Sequence, residues 1–157
     1  MWTDTDTTTI VSWRARPRSF AALMGLYESN YIRLAWLAGD PALLAGHHRS
    51  VVRGDCDLLL TVTERGPYTT TLRLTYLLDE RGAARARPDM LVRVYHDARL
   101  VEAQSWEGQG ERARTERELH QCWARNIMLN KWLEYCVERG HRFSAGTLAG
   151  THAGTRA

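Results

Sequence analysis

The sequence predicts an α+β domain, a four-stranded antiparallel meander with an N-terminal and a C-terminal helix packed on one face. Three observations carry this expectation. Apolar residues recur at three-four spacing near both ends of the body, alternating runs fill the middle, and Gly, Pro or charged clusters separate the runs. The 157 residues, 44% of them hydrophobic, suit one domain large enough to bury a core. Residues 1–18 form a Thr-rich and basic arm, 19–143 the domain, and 144–157 a Gly/Ala-rich tail. Arm and tail lack periodic apolar residues and are expected to be disordered.

Ser19 is placed to cap a helix running to Ala38, where Gly39 and Pro41 stop it. Its apolar face gathers Phe20, Leu23, Tyr27, Tyr31, Leu34 and Leu37. A loop carrying His47 and His48 follows. Cys56, Leu58, Leu60 and Val62 then alternate with polar neighbours, Gly66-Pro67 breaks the run, and Tyr68 to Leu78 resumes it, which reads as a hairpin. The charged stretch Asp79 to Asp89 reads as a loop. Two further strands follow on either side of His96 to Arg99, then a loop, EGQGERART. The last helix spans about Glu116 to Arg139 and closes at Gly140.

Composition narrows the function classes. The net charge is +3, but the body is close to neutral once the flanking arginines and aspartates are set aside. All basic residues except Lys131 are arginine, which reflects a compositional bias. The segment WRARPR reads as a solvated arm, since nucleic-acid contact calls for a clustered basic face. No apolar run reaches the roughly 18 residues of a membrane span, and the start lacks the order of a signal peptide. A cytoplasmic location is expected. Cys56, Cys122 and Cys136 are odd in number and show no CxxC spacing, so reduced thiols are expected and no metal or cofactor is assigned.

In a meander, alternate connections lie at the same end of the sheet, so Glu64 to Tyr68 and His96 to Arg99 are expected to share one rim. Glu64, Tyr68, Thr69, Tyr95, His96 and Asp97 are the candidate site there, and Glu28 lies at the margin of the first helix's apolar face. His96 beside Asp97 fits either a general base with its orienting carboxylate or a structural turn. Asn30 falls among Leu23, Tyr27 and Leu34, and Asn126 among Leu119, Cys122, Leu129 and Leu133. Each helix thus puts an amide on its apolar face, where it must be hydrogen-bonded to a strand end or line a polar pocket. Ile32 and Trp36, with Trp132 at the edge of the second helix, mark a surface for a protein partner or a second copy.

The stretches YESNY (Tyr27 to Tyr31), ERGPYTT (Glu64 to Thr70), VRVYHDA (Val92 to Ala98) and WLEYC (Trp132 to Cys136) resemble the landmarks of the YqiB-like family of uncharacterised bacterial proteins. The resemblance spans about Phe20 to His141. It implies no reaction or ligand, only a link to nucleotide metabolism or signalling. The expected function is therefore a small-ligand- or protein-binding accessory domain without catalysis of its own. The alternative is a hydrolase of a phosphorylated or nucleotide-like substrate, with His96 as acid/base, Asp97 orienting it and Glu64 or Glu28 as second carboxylate.

Overall fold

A computed structural model describes residues 19–80, 83–106 and 116–144. Helix α1 spans Phe20–Ala38, and Ser19 caps it by accepting the Ala22 N–H at 3.0 Å. Gly39, with φ 76°, ends it in a conformation that favours glycine. Asp40 then opens a short 3-10 turn, Pro41–Leu43. Strands β1 His47–Ser50, β2 Asp57–Arg65, β3 Thr69–Glu80, β4 Ala83–Tyr95 and β5 Leu100–Trp106 follow, and helix α2 runs over Glu116–Arg139. The strands form one antiparallel meander in chain order.

The sheet therefore has five strands, not four. The extra one is β1, in the segment read as a loop carrying His47 and His48. Its inward residues are His48 and Ser50, so the strand alternates without an apolar signal. The stretch Asp79 to Asp89 is also not a loop. The backbone of β3 and β4 stays paired out to Glu80 and Ala83, because ladder hydrogen bonds join main-chain groups and need no apolar side chains. The loop EGQGERART and both chain ends lie outside the described residues.

One sheet face carries Leu58, Leu60, Leu72, Leu74, Met90, Val92, Val94, Val101 and Ala103, which pack with Leu34 and Leu37 of α1 and Leu129, Leu133 and Cys136 of α2. Burying each of the larger of these side chains stabilises the fold by about 1.5–3 kcal/mol. The helices run parallel, since Tyr27 meets Cys122, Asn30 meets Asn126 and Asn130, and Arg33 meets Glu134. Their first halves pack Ala22, Leu23, Leu26, Tyr27 and Trp123 together with Leu100. Leu100 alternates with Val101, so its inclusion shows that the helix pair overhangs the edge of β5 as well as covering one face.

Two expectations about the helices fail. Phe20 is 76% exposed, because it stands at the first helical position, beyond the cluster that closes this end of the core. Trp132 is buried edge-on to Tyr76, with ring centroids 5.5 Å apart. Ile32 and Trp36 are exposed, with the Arg33 guanidinium 5.6 Å from the Trp36 ring centroid. The other sheet face is polar, and Arg49–Asp57 and Arg73–Asp89 pair across it.

Candidate functional site

The β2–β3 and β4–β5 connections meet at one rim. The His96 N–H donates to the Tyr68 carbonyl at 2.9 Å, and His96 Nε2 is hydrogen-bonded to the Thr70 hydroxyl at 2.8 Å. Thr70 is buried, on the same sheet face as Leu72 and Val94. His96 Nδ1 is also buried, with no hydrogen-bond partner among the described residues. Arg99, with φ 56°, closes the turn in the left-handed region, a local strain of the kind that persists where surrounding pairing holds it. Thr69 lies opposite Tyr95 in the ladder and Glu64 opposite Thr71. Tyr68 is 66% exposed.

Tyr68, Thr69, Tyr95 and His96 are thus brought together by pairing. Asp97 is exposed at the turn and makes no hydrogen bond with His96, whose ring bonds to Thr70 instead. Glu64 is exposed one rung further along β2 and Glu28 is exposed on α1. Asn30 lies in the core, bonded to the Val101 carbonyl near the start of β5.

Tyr95 turns to a group that its sequence did not single out. Its hydroxyl donates to Glu102 Oε1 at 2.8 Å, and the Tyr27 hydroxyl donates to Oε2 at 3.2 Å. Tyr27 also lies 3.0 Å from the Cys122 thiol. Burial pushes the Tyr27 phenol up, and Cys122 and Glu102 push it further. Burial and Glu102 raise Tyr95 against an opposing effect of Arg93. Both phenols therefore stay protonated donors that hold the carboxylate in place.

The asparagines form a buried clamp. Asn126 Oδ1 accepts the Ala103 N–H at 2.8 Å and the Asn30 amide at 3.2 Å. Asn30 also donates to the Val101 carbonyl at 3.2 Å and accepts from Asn130 at 3.0 Å. Asn126 donates to the Cys122 carbonyl at 2.8 Å. Val101 and Ala103 lie on the outer side of an edge strand that the helices cover, so their backbone groups need partners that a sixth strand would otherwise give.

A second polar cluster sits at the opposite end of the sheet. His141 is 0% exposed; its Nδ1 is 2.9 Å from the Ser50 hydroxyl and its Nε2 3.0 Å from Asp55 Oδ2. The Tyr76 hydroxyl donates to the same Asp55 oxygen at 2.9 Å. Burial raises the Asp55 carboxyl, but the Cys56 backbone N–H, Tyr76 and His141 outweigh it and leave it below the ordinary value. Ser50 also accepts the Arg142 N–H at 3.1 Å. The residue types are those of a serine-histidine-aspartate triad, yet the serine oxygen is occupied and the histidine sealed. The cluster ties the segment after α2 to β1. Sequence reading passed over it because Ser50, Asp55 and His141 belong to three separate segments with no motif spacing. Among the described residues, no group of three or more His, Cys, Asp or Glu is placed to hold a metal ion.

Fold and rim together define a small α+β domain, a five-stranded meander under a parallel helix pair, with a half-buried histidine at one sheet end. The chain belongs to the family described as protein of unknown function (DUF1249), whose model matches residues 33–142. That span includes all five strands, the rim and Asn126. Neither the curated proteins nor the solved structures give a match. No helix among the described residues is long and apolar enough to cross a membrane.

Proposed function

We propose that this domain is a YqiB-like accessory module that binds a small polar ligand or a protein partner at the rim and performs no chemistry of its own. One observation carries the proposal: His96 Nδ1 is buried without a partner among the described residues, beside an exposed tyrosine. A buried polar atom without a hydrogen bond is costly, and a bound group that supplies one gains the difference. Tyr68 offers that group an aromatic surface with a polar tip. The three cysteines are free, which accords with a reducing, cytoplasmic setting. Hydrolysis by His96 and Asp97 gains less support, because the imidazole is oriented by a threonine hydroxyl and not by the carboxylate.

The test compares wild type with His96→Ala in thermal-shift and titration measurements over nucleotides, divalent metals and extract proteins. A variant that stays folded and loses a ligand supports rim binding. A variant that binds everything wild type binds removes His96 from the site, and turnover of any nucleotide that is abolished by Asp97→Asn would favour the hydrolase instead.

A further inference from the structure

The two edges of the sheet are treated differently. The outward groups of β5 are taken by Asn30 and Asn126. At the other edge, the Val62 N–H donates to the Gly46 carbonyl at 2.9 Å, which fixes the phase of the β1–β2 ladder. Gly46 and Val62 are a hydrogen-bonded pair, so His48 with Leu60 and Ser50 with Leu58 are too. The N–H and C=O groups of His47 and Arg49 therefore point away from β2. Among the described residues these four main-chain groups, spaced two residues apart, have no backbone partner and form an open edge.

Charge surrounds that edge unevenly. Arg49 stands on β1 and Arg53 three residues beyond it. Arg65 donates to the Ala42 carbonyl at the strand's entry, Arg139 to the Gly54 carbonyl past its exit, and the Arg142 N–H to Ser50. Asp57 pairs with Arg49, and Asp55 lies 3.8 Å from Arg139. Arg53, Arg65 and Arg142 have no carboxylate partner among the described residues. Leu43 and Val51, each 68% exposed, flank β1 in the chain and add apolar surface to both ends.

We infer that β1 is a docking edge for an acidic, extended segment of another protein, which adds to the sheet as a sixth strand. Main-chain pairing provides the attachment, and the surplus arginines select for carboxylates on the incoming strand. The same arginines disfavour a second copy, because edge-to-edge pairing would set His47 opposite Arg49 of the partner and bring up no carboxylate for Arg53, Arg65 or Arg142. Arg65 belongs to the rim segment as well, but the β1 main chain lies three strands from β4 and His96, so neither proposal depends on the other.

The probe is a short capped peptide of alternating glutamate and valine, labelled for fluorescence anisotropy, titrated with the full chain at low and high salt. Binding that weakens with salt, falls about tenfold when the peptide's strand-pairing amides are N-methylated, and falls further when lysine replaces glutamate supports strand addition. His47→Pro removes one outward donor at the first residue of an edge strand, where proline is tolerated, and should weaken binding by a similar factor. The N-methylated peptide keeps the test decisive if that variant misfolds. Unchanged affinity for the N-methylated peptide would reduce the effect to charge alone and overturn the inference. So would no binding, tighter binding of single-stranded DNA of equal charge, or a dimer in sedimentation that His47→Pro dissociates.

Discussion

Replacing Asn126 by leucine probes the clamp that closes the β5 edge. The side chain is fully buried, and its Oδ1 is the acceptor for both the Ala103 N–H and the Asn30 amide. Leucine strands the Ala103 N–H inside the protein, at about 1–3 kcal/mol for a buried unsatisfied donor. Asn30 loses less, about 1 kcal/mol, because it keeps the Val101 carbonyl and Asn130 as partners. The added apolar surface returns about 1–2 kcal/mol. The net expectation is a loss of up to about 3 kcal/mol, centred on roughly 1.5 kcal/mol, read as a lower urea midpoint with an unchanged slope. Asn30→Ala in the same background should be non-additive, with a coupling of at least about 0.5 kcal/mol. A stabilised Asn126→Leu, or a neutral one without coupling to Asn30→Ala, would refute the clamp, because it would mean that the β5 backbone is satisfied by water or needs no partner.

Acid should loosen the opposite end of the sheet. Asp55 is held below its ordinary value of about 3.9 in the folded state. Its stabilisation is therefore present above the unfolded value and lost as pH falls through the lower folded value. Asp55→Asn should flatten the fall in stability below about pH 4, and an unchanged acid limb in denaturation curves would show that Asp55 is not the group responsible. Gly140 adopts φ 99° with nothing within 4 Å of an added Cβ, so Gly140→Ala should cost about 1 kcal/mol from backbone strain alone, and a stabilised variant in thermal melts would contradict this. Burial pushes the Cys136 thiol up to about 12 against the opposing Tyr76 bond. Native labelling with a thiol reagent should therefore reach Cys56 and Cys122 first; early modification of Cys136, mapped by mass spectrometry, would mean that this end of the core opens readily.

Periodicity made most of the fold legible. The bounds of α1 follow from Ser19 and Gly39, whose roles as cap and stop are local and chemical. The Leu58 and Leu60 run announces a strand because those side chains fill the core. What escaped did so for one physical reason: apolar alternation reports side-chain burial in hydrocarbon, not backbone pairing. β1 buries a histidine and a serine, and the β3–β4 extension pairs backbone beyond the core, so neither carries the signal. The overhang of the helices on β5 escaped likewise, because it depends on a parallel helix arrangement that no single segment encodes.

At the candidate site the same distinction explains what was legible. A meander puts the β2–β3 and β4–β5 turns at one end whatever the side chains do, so Tyr68 and His96 meet through topology alone. Which hydroxyl orients the imidazole is another matter, because Asp97 is adjacent in sequence but stands exposed in the turn, while Thr70 arrives from the neighbouring strand. Glu102 follows that pattern, held by phenols from β4 and α1. So does His141, which finds Ser50 and Asp55 across the fold. Polar partners of this sort are chosen by register and packing between distant segments, and each demand is met by whichever group the topology delivers. Four buried atoms among the described residues are exceptions, Arg33 Nε, Trp123 Nε1, Trp132 Nε1 and His96 Nδ1, and of these His96 Nδ1 is the one at the rim. That open nitrogen beside the exposed Tyr68, set against the sealed His141 cluster, is why the rim is the surface proposed for binding.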